Sequence, residues 1–400
     1  MSINEKKKAI ECHFNKFDGN FLLNGFGIAN LEIARNVALF HESLPGYSPT
    51  PLITLSALAS HLGVDEILIK DESKRFDLNA FKVLGAGYAM ARILLSELSL
   101  DLKECTFDNI LFHREKISHL TFVTATDGNH GRAVAWAANK FGCKAVVFMP
   151  KGTSKARLQA IHDLGAKASI LDCNFDEAVM FAEKMAEKNG WVLIQDTSWP
   201  GYNKIPLYIM QGYFTLLTEV MSQGKGSWPT HVFIQAGVGS FAAAILAFLC
   251  SFSEKPKPIF VVVEAKGAPC YFNSMEIGDG NPHTVIGDLK TIMAGLSCGK
   301  PSQTAWEILK TGTDAFVVCS DEIAKTGMRI LGNPLGKDTR VISGESGAVT
   351  LGLVYSLLHE KENKNLKTRL KIDTNSKILL FSTEGDTDPQ HYREVVWGIV

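Results

Sequence analysis

The sequence predicts an α/β protein with two open, twisted, mostly parallel sheets and helices on both faces. Three observations carry that expectation. From about residue 122 to Asp196, short β-rich runs alternate with helical patterns. A second alternating series runs from His231 to Gly385. The composition is that of a packed globular chain, with 400 residues, 46% hydrophobic, 21% charged and 34 glycines. At that length two packed units are expected rather than one core.

The elements follow in order. EILIKDES (residues 66–73) reads as a strand and a turn, leading to a helix that begins near Asn79 and carries Lys82. FVTAT, KAVVFMP, KASILD and WVLIQD then read as four strands linked by three helices. In those helices Val134, Ala138 and Phe141, then Leu158, Ile161 and Leu164, recur at helical spacing, with Gly165 and Gly190 where C-terminal caps belong. Such crossovers impose a parallel sheet. HVFIQA, an Ala-rich helix from Ser240, PIFVVVEA, DAFVVCSDE, a helix opened by Ser346, and KILLFSTEG complete the second unit, while Lys361 to Lys371 reads as an exposed charged connection.

Lys+Arg total 41 against 42 for Asp+Glu, a net charge of −1, so nothing points to nucleic acid or an acidic membrane surface. A small molecule is the expected partner. The apolar stretch Phe241 to Phe252 is too short to span a bilayer, and the N-terminal MSINEKKKAIECHF lacks the apolar region of a signal peptide, so a cytoplasmic location is expected. The eight cysteines include no CxxC and no zinc-ligand spacing, which leaves buried thiols and no metal site. A Cys270–Cys298 disulfide stays open, although a cytoplasmic setting argues against it.

Several loops fall beyond strand C-termini, where open α/β sheets place their sites. AGVGSFA follows a strand and opens a helix, so its backbone N–H groups can cradle a phosphate. It also satisfies G-x-G-x-x-A, with Glu264 where a ribose-binding acid belongs, which keeps a nicotinamide-dependent dehydrogenase open. A glycine turn that merely packs helix on strand is the ordinary alternative. Lys82 lies in the first turn of a helix among Phe81, Val83 and Leu84, where burial and the helix dipole disfavour the ammonium and suit imine chemistry. Its plain alternative is a solvated surface lysine. TATDGNHGRAVAW offers Asp127 and Asn129 at a strand end, or simply an Asx turn capping a helix, and His130 reads as a loop-fixing residue. Asp196 ends WVLIQD on the same rim as Asp127, where the two carboxylates could handle protons as a catalytic pair, an N-cap or a surface carboxylate being the plain alternative. Glu345 and Ser346 precede a helix, and Thr383 ends the last strand.

Together, AFKVLGA, TDGNHGRAVAW, QDTSW, GVGS, SGESGAV and STEGDTD resemble the β-family (fold type II) of pyridoxal-phosphate enzymes, over nearly the whole chain. Within it they look like the lyases that release ammonia from 2,3-diaminopropionate. The resemblance implies pyridoxal 5'-phosphate as cofactor, with Lys82 as the Schiff-base lysine. Asn129 would bond its phenolic oxygen, Gly237, Val238, Gly239 and Ser240 would hold its phosphate, and Thr383 would face its ring nitrogen. Asp127, where the serine and threonine dehydratases carry a small or hydroxyl residue, would be a second base beside Lys82. Asp127, Asp196, Glu345 and Ser346 would contact a small amino-acid substrate. The implied reaction is α,β-elimination of D- and L-2,3-diaminopropionate to pyruvate and two ammonia. A homodimer is implied too, with a large cofactor-binding domain over residues 1–117 and 196–400 and a small α/β domain over 118–195. A serine/threonine dehydratase or a racemase of the same fold is the near alternative, and a noncatalytic ligand-binding protein the distant one.

Overall fold

Strands that are apolar on both sides of the pleat must be covered on both faces, and that requirement organises the chain. The computed structural model describes residues 9–16, 27–126, 128–224, 226–251 and 255–398. Its strands are β1 (Ile10–Phe14), β2 (Leu52–Thr54), β3 (Glu66–Asp71), β4 (Thr121–Ala125), β5 (Lys144–Met149), β6 (Lys167–Ile170), β7 (Val192–Leu193), β8 (His231–Gln235), β9 (Ile259–Ala265), β10 (Ala315–Cys319) and β11 (Lys377–Ser382). Seven form one sheet in the order β1-β10-β9-β8-β11-β3-β2, and four form a second in the order β6-β5-β4-β7.

The second sheet is parallel throughout. The larger one is parallel except at its edges, where β1 runs antiparallel to β10 and β2 antiparallel to β3. Sequence periodicity did not indicate β1 or β2, because each is short and only partly buried. Every residue of β8 and β10 is buried. The Ser240–Cys250 helix is apolar on all sides and accordingly buried along its whole length between neighbours. Among the described residues no helix is long and apolar enough to cross a membrane.

Three local expectations change. WVLIQD pairs as a strand only at Val192 and Leu193. Beyond them the Gln195 side chain takes over the ladder, accepting from Ala125 N at 3.0 Å and donating to Ala125 O at 3.1 Å. Residues 361–371 are not an irregular connection but hold two short helical turns, Lys361–Asn363 and Lys364–Arg369. The helix expected from Asn79 begins at Lys82. Before it, a 3-10 turn over Glu72–Asp77 breaks at Phe76 (φ 49°), and Asp77 (φ 57°) and Asn79 (φ 59°) are also left-handed. Three such residues without glycine cost conformational energy that the surroundings must offset.

A buried ion cluster supplies the offset. Arg75 Nη2 meets Glu72 Oε1 at 2.8 Å, Arg75 Nη1 meets Glu219 Oε1 at 2.7 Å, and Lys70 Nζ meets Glu219 Oε2 at 2.6 Å. Thr50 Oγ1 donates to Glu72 at 2.5 Å. Burial would raise the Glu219 carboxyl, but Arg75 and Lys70 hold it below its usual range. Each charge has its partner, so the turn that leads to Lys82 is locked to the helix carrying Glu219. Glu219→Ala strips two buried cations of their shared counter-charge and should cost about 3–5 kcal/mol. Urea unfolding followed by tryptophan fluorescence measures this, and a loss below about 1 kcal/mol would contradict the locking role.

Candidate active site

The C-terminal ends of β4, β8 and β11 open into one cavity of about 530 Å³ between the two sheets. Lys82, Asn129, Asp196, Gly237 to Ser240, Ser346 and Thr383 all line it. Motifs spread over 300 residues of sequence therefore meet in one space. Asp127 lies outside the described residues.

Lys82 starts the Lys82–Leu98 helix, and its ammonium pairs with Asp196 Oδ2. The lysine side chain is 20% exposed and the aspartate 5%. Burial alone would raise the Asp196 carboxyl. The Lys82 charge, then the His130 ring and the Lys82 hydrogen bond, outweigh burial and hold it at about 2, so it stays ionised at any higher pH. Asp196 is also anchored through its backbone, since its carbonyl accepts from Ser240 Oγ at 2.5 Å. His130 Nε2 donates to Ile194 O at 2.8 Å, and Nδ1 lies 4.0 Å from Asp196 Oδ2. It ties the Asn129–Phe141 helix to the segment that delivers Asp196.

The glycine loop is shaped for a ligand that needs backbone donors. Gly239 has φ 92°, and a Cβ there would stand 2.0 Å from the Tyr271 hydroxyl, which itself donates to Val238 O at 2.7 Å. The loop ends as the Ser240–Cys250 helix begins, so its N–H groups and the helix dipole converge on the cavity. On the opposite wall Thr383 Oγ1 accepts from Gln235 Nε2 at 2.9 Å, which leaves the threonine's own O–H available to an acceptor. The Ser346 hydroxyl is buried, lines this cavity and has no partner among the described residues. A glycine cradle at a helix start, a buried amine and hydroxyls awaiting partners fit a phosphorylated aldehyde cofactor.

Two sequence expectations are corrected. Glu264 is spent as a cap: fully buried, it accepts from Tyr271 N at 2.8 Å and Phe272 N at 2.7 Å, and burial pushes it up to about 8. It does not line the cavity, which removes the ribose-binding acid a dehydrogenase would use. Glu345 is also absent from the cavity wall. It opens the Glu345–His359 helix next to Ser346 but turns to His391, whose Nε2 lies 3.3 Å away. Burial, then the Glu384 charge, raises its carboxyl. Glu384 itself was missed by motif reading, although it follows Thr383 directly and lines the cavity. Cys270 and Cys298 are both buried thiols.

The comparisons agree with this geometry. Residues 44–369 match the family model described as "Pyridoxal-phosphate dependent enzyme". The chain is 46% identical to the diaminopropionate ammonia-lyase of Salmonella typhimurium, over 94% of this chain and 93% of that protein. It is 45% identical to the Escherichia coli (strain K12) enzyme of the same name, over 97% and 96%. The crystal structure of the Escherichia coli enzyme in complex with an aminoacrylate-PLP azomethine reaction intermediate superposes with a TM-score of 0.89, at 43% identity and covering 97% of both chains. The matched span and this likeness along nearly the whole length show that the chain belongs to the pyridoxal-phosphate dependent enzyme family and, within it, to the diaminopropionate ammonia-lyases.

Proposed function

We propose that the chain eliminates ammonia from 2,3-diaminopropionate, taking both enantiomers and releasing pyruvate and two ammonia with the uptake of one water. The observation that carries this reading is the pairing of Lys82 with an ionised, buried Asp196 inside a cavity that also holds the glycine cradle. Lys82 would hold the cofactor covalently, Gly237 to Ser240 would hold its phosphate, Asn129 would donate to its phenolic oxygen, and Thr383 would face its ring nitrogen. Bound pyridoxal phosphate supplies an electron sink for negative charge at the substrate's α-carbon.

The remaining chemistry belongs to the side chains. Lys82, as a free amine, would be the base that takes an α-proton from one face. Asp127 takes it from the other, which opens the second enantiomer. Asp196 is the acceptor for the β-ammonium that leaves, the substrate's cation taking the place of the Lys82 charge that otherwise holds the carboxylate ionised. An anionic site of this kind favours a cationic leaving group over the neutral hydroxyl of serine or threonine. Ser346 is placed to bond the substrate. Thr383 is a neutral partner and does not favour a protonated ring nitrogen as a carboxylate would, so charge is passed on to the leaving group. The reading includes a cytoplasmic location, in keeping with cysteines that stand as free thiols. It also includes the homodimer that the family resemblance implies.

Lys82→Ala should abolish covalent attachment of the cofactor, leaving no yellow chromophore and nothing for borohydride to fix, while the fold persists. Covalent cofactor in that variant would move the assignment to another lysine. Asp127→Asn keeps size and hydrogen bonding but cannot take up the proton. Its kcat/KM for D-2,3-diaminopropionate, followed by pyruvate release, should fall at least ~100-fold, with a smaller loss on the L-isomer. Equal losses would reduce Asp127 to a binding residue.

A further inference from the structure

Glu384 is 3% exposed and has no role in the reading above, yet its placement is closely determined. Its backbone pairs as an antiparallel bridge with Ala80. On either side, Gly385 N donates to Asn79 O at 3.0 Å and Phe81 N donates to Thr383 O at 3.2 Å, while Gly344 N donates to the Glu384 carbonyl at 3.0 Å. The segment leading into Lys82 and the end of β11 therefore hold Glu384 between them. Its side chain spans two elements: Oε2 accepts from Asn129 Nδ2 at 2.6 Å and Oε1 accepts from Ser346 N at 3.2 Å. A Cβ on Gly344 would come within 3.0 Å of Glu384 Cγ, so the glycine leaves the space that this side chain takes.

The two ends of an asparagine amide are nearly equal in shape, one a donor and the other an acceptor, whereas a carboxylate only accepts. Facing Glu384, the amide of Asn129 must present its nitrogen. Among the described residues that amide makes no other hydrogen bond, and Asn129 lines the cavity, so the second N–H of the same nitrogen is left for a ligand. We propose that Glu384 is a positioning residue that fixes the amide orientation of Asn129 and thereby guarantees an N–H donor for the phenolic oxygen of pyridoxal phosphate. The proposal rests on the cofactor assignment made above.

A glutamine would not serve in its place. Ser346 N needs an acceptor at one atom and Asn129 Nδ2 needs one at the other, and only a carboxylate meets both demands. With glutamine, either two donors face each other or the Asn129 amide turns over and carries its N–H away. Neighbouring charge is managed as well. Burial, then the Glu384 charge, raises the Glu345 carboxyl, while His391 and Arg157 beside it act to lower it.

The test uses the holoenzyme, its apo form titrated with pyridoxal phosphate, and four variants: Glu384→Gln, Glu384→Asp, Asn129→Ala and the double Glu384→Gln/Asn129→Ala. The readouts are the dissociation constant of the cofactor and the pH at which its phenol ionises, taken from the visible band. Glu384→Gln should weaken cofactor binding roughly ten-fold, as expected for one charge-assisted hydrogen bond, and raise the phenol titration by about one unit. Asn129→Ala should do the same, and the double variant should be no worse than Asn129→Ala alone. Glu384→Asp keeps two acceptor oxygens and should keep the wild-type titration. A wild-type band and affinity in Glu384→Gln, additive losses in the double variant, or a shift in Glu384→Asp as large as in Glu384→Gln each overturn the proposal. A wild-type protein that forms no visible chromophore overturns the cofactor assignment and this inference with it, whereas a normal chromophore unmoved by Glu384→Gln overturns this inference alone.

Discussion

A lysine ammonium four-fifths buried at the first turn of a helix is disfavoured twice, by desolvation and by the positive end of the helix dipole, and Asp196 offsets both. Much of the site is arranged around that pair. The aspartate leaves the smaller sheet just past β7, and its carbonyl is held by Ser240 at the head of the buried helix. One ion pair therefore joins the amine, the exit of the smaller sheet and the glycine loop. Removing either partner would leave the other charge buried without compensation, which costs several kcal/mol.

The sheets explain why these groups converge. Parallel strands covered on both faces leave only their ends for polar chemistry, and the C-terminal ends carry the loops. Thr383 and Glu384 lie just past the end of β11, the strand beside the central β8 of the large sheet, and Glu384 reaches from there to Asn129 on the smaller sheet's first helix. A carboxylate that accepts from two elements of different sheets is both a contact and a constraint on their separation. Glu264 shows the contrast. It ends a strand of the same sheet, but its two oxygens are consumed by the first turn of the next helix.

Much of this was legible in the sequence because it rests on local patterns. Apolar runs bounded by glycine gave the parallel strands, and glycine beside serine after a strand gave the cradle. Edge strands were not legible: β1 and β2 have five and three residues, and β1 pairs with a partner far along the chain. WVLIQD reads as a strand throughout, since nothing in it announces that Gln195 will substitute its amide for backbone. Glu345 and Glu384 illustrate the limit within the site. Each stands beside a hydroxyl residue in a Gly-containing loop, so sequence gives no ground for choosing between them. Only the turn of the helix at Glu345 and the bridge of Glu384 to Ala80 determine which one faces the cavity.

The position of β11 bears on how the chain acquires its shape during synthesis. The smaller sheet is drawn from one continuous stretch, residues 121–193, and can assemble as soon as that stretch emerges. The larger sheet stays divided until residues 377–382 arrive, because β11 lies between β8 and β3. About 140 residues separate β8 from β11, which at ribosomal speed is roughly 7–30 s of exposed, apolar strand edge. The strand that joins the two parts also delivers Thr383 and Glu384, so the catalytic pocket is completed by the same late event that removes the nascent chain's main hazard of aggregation.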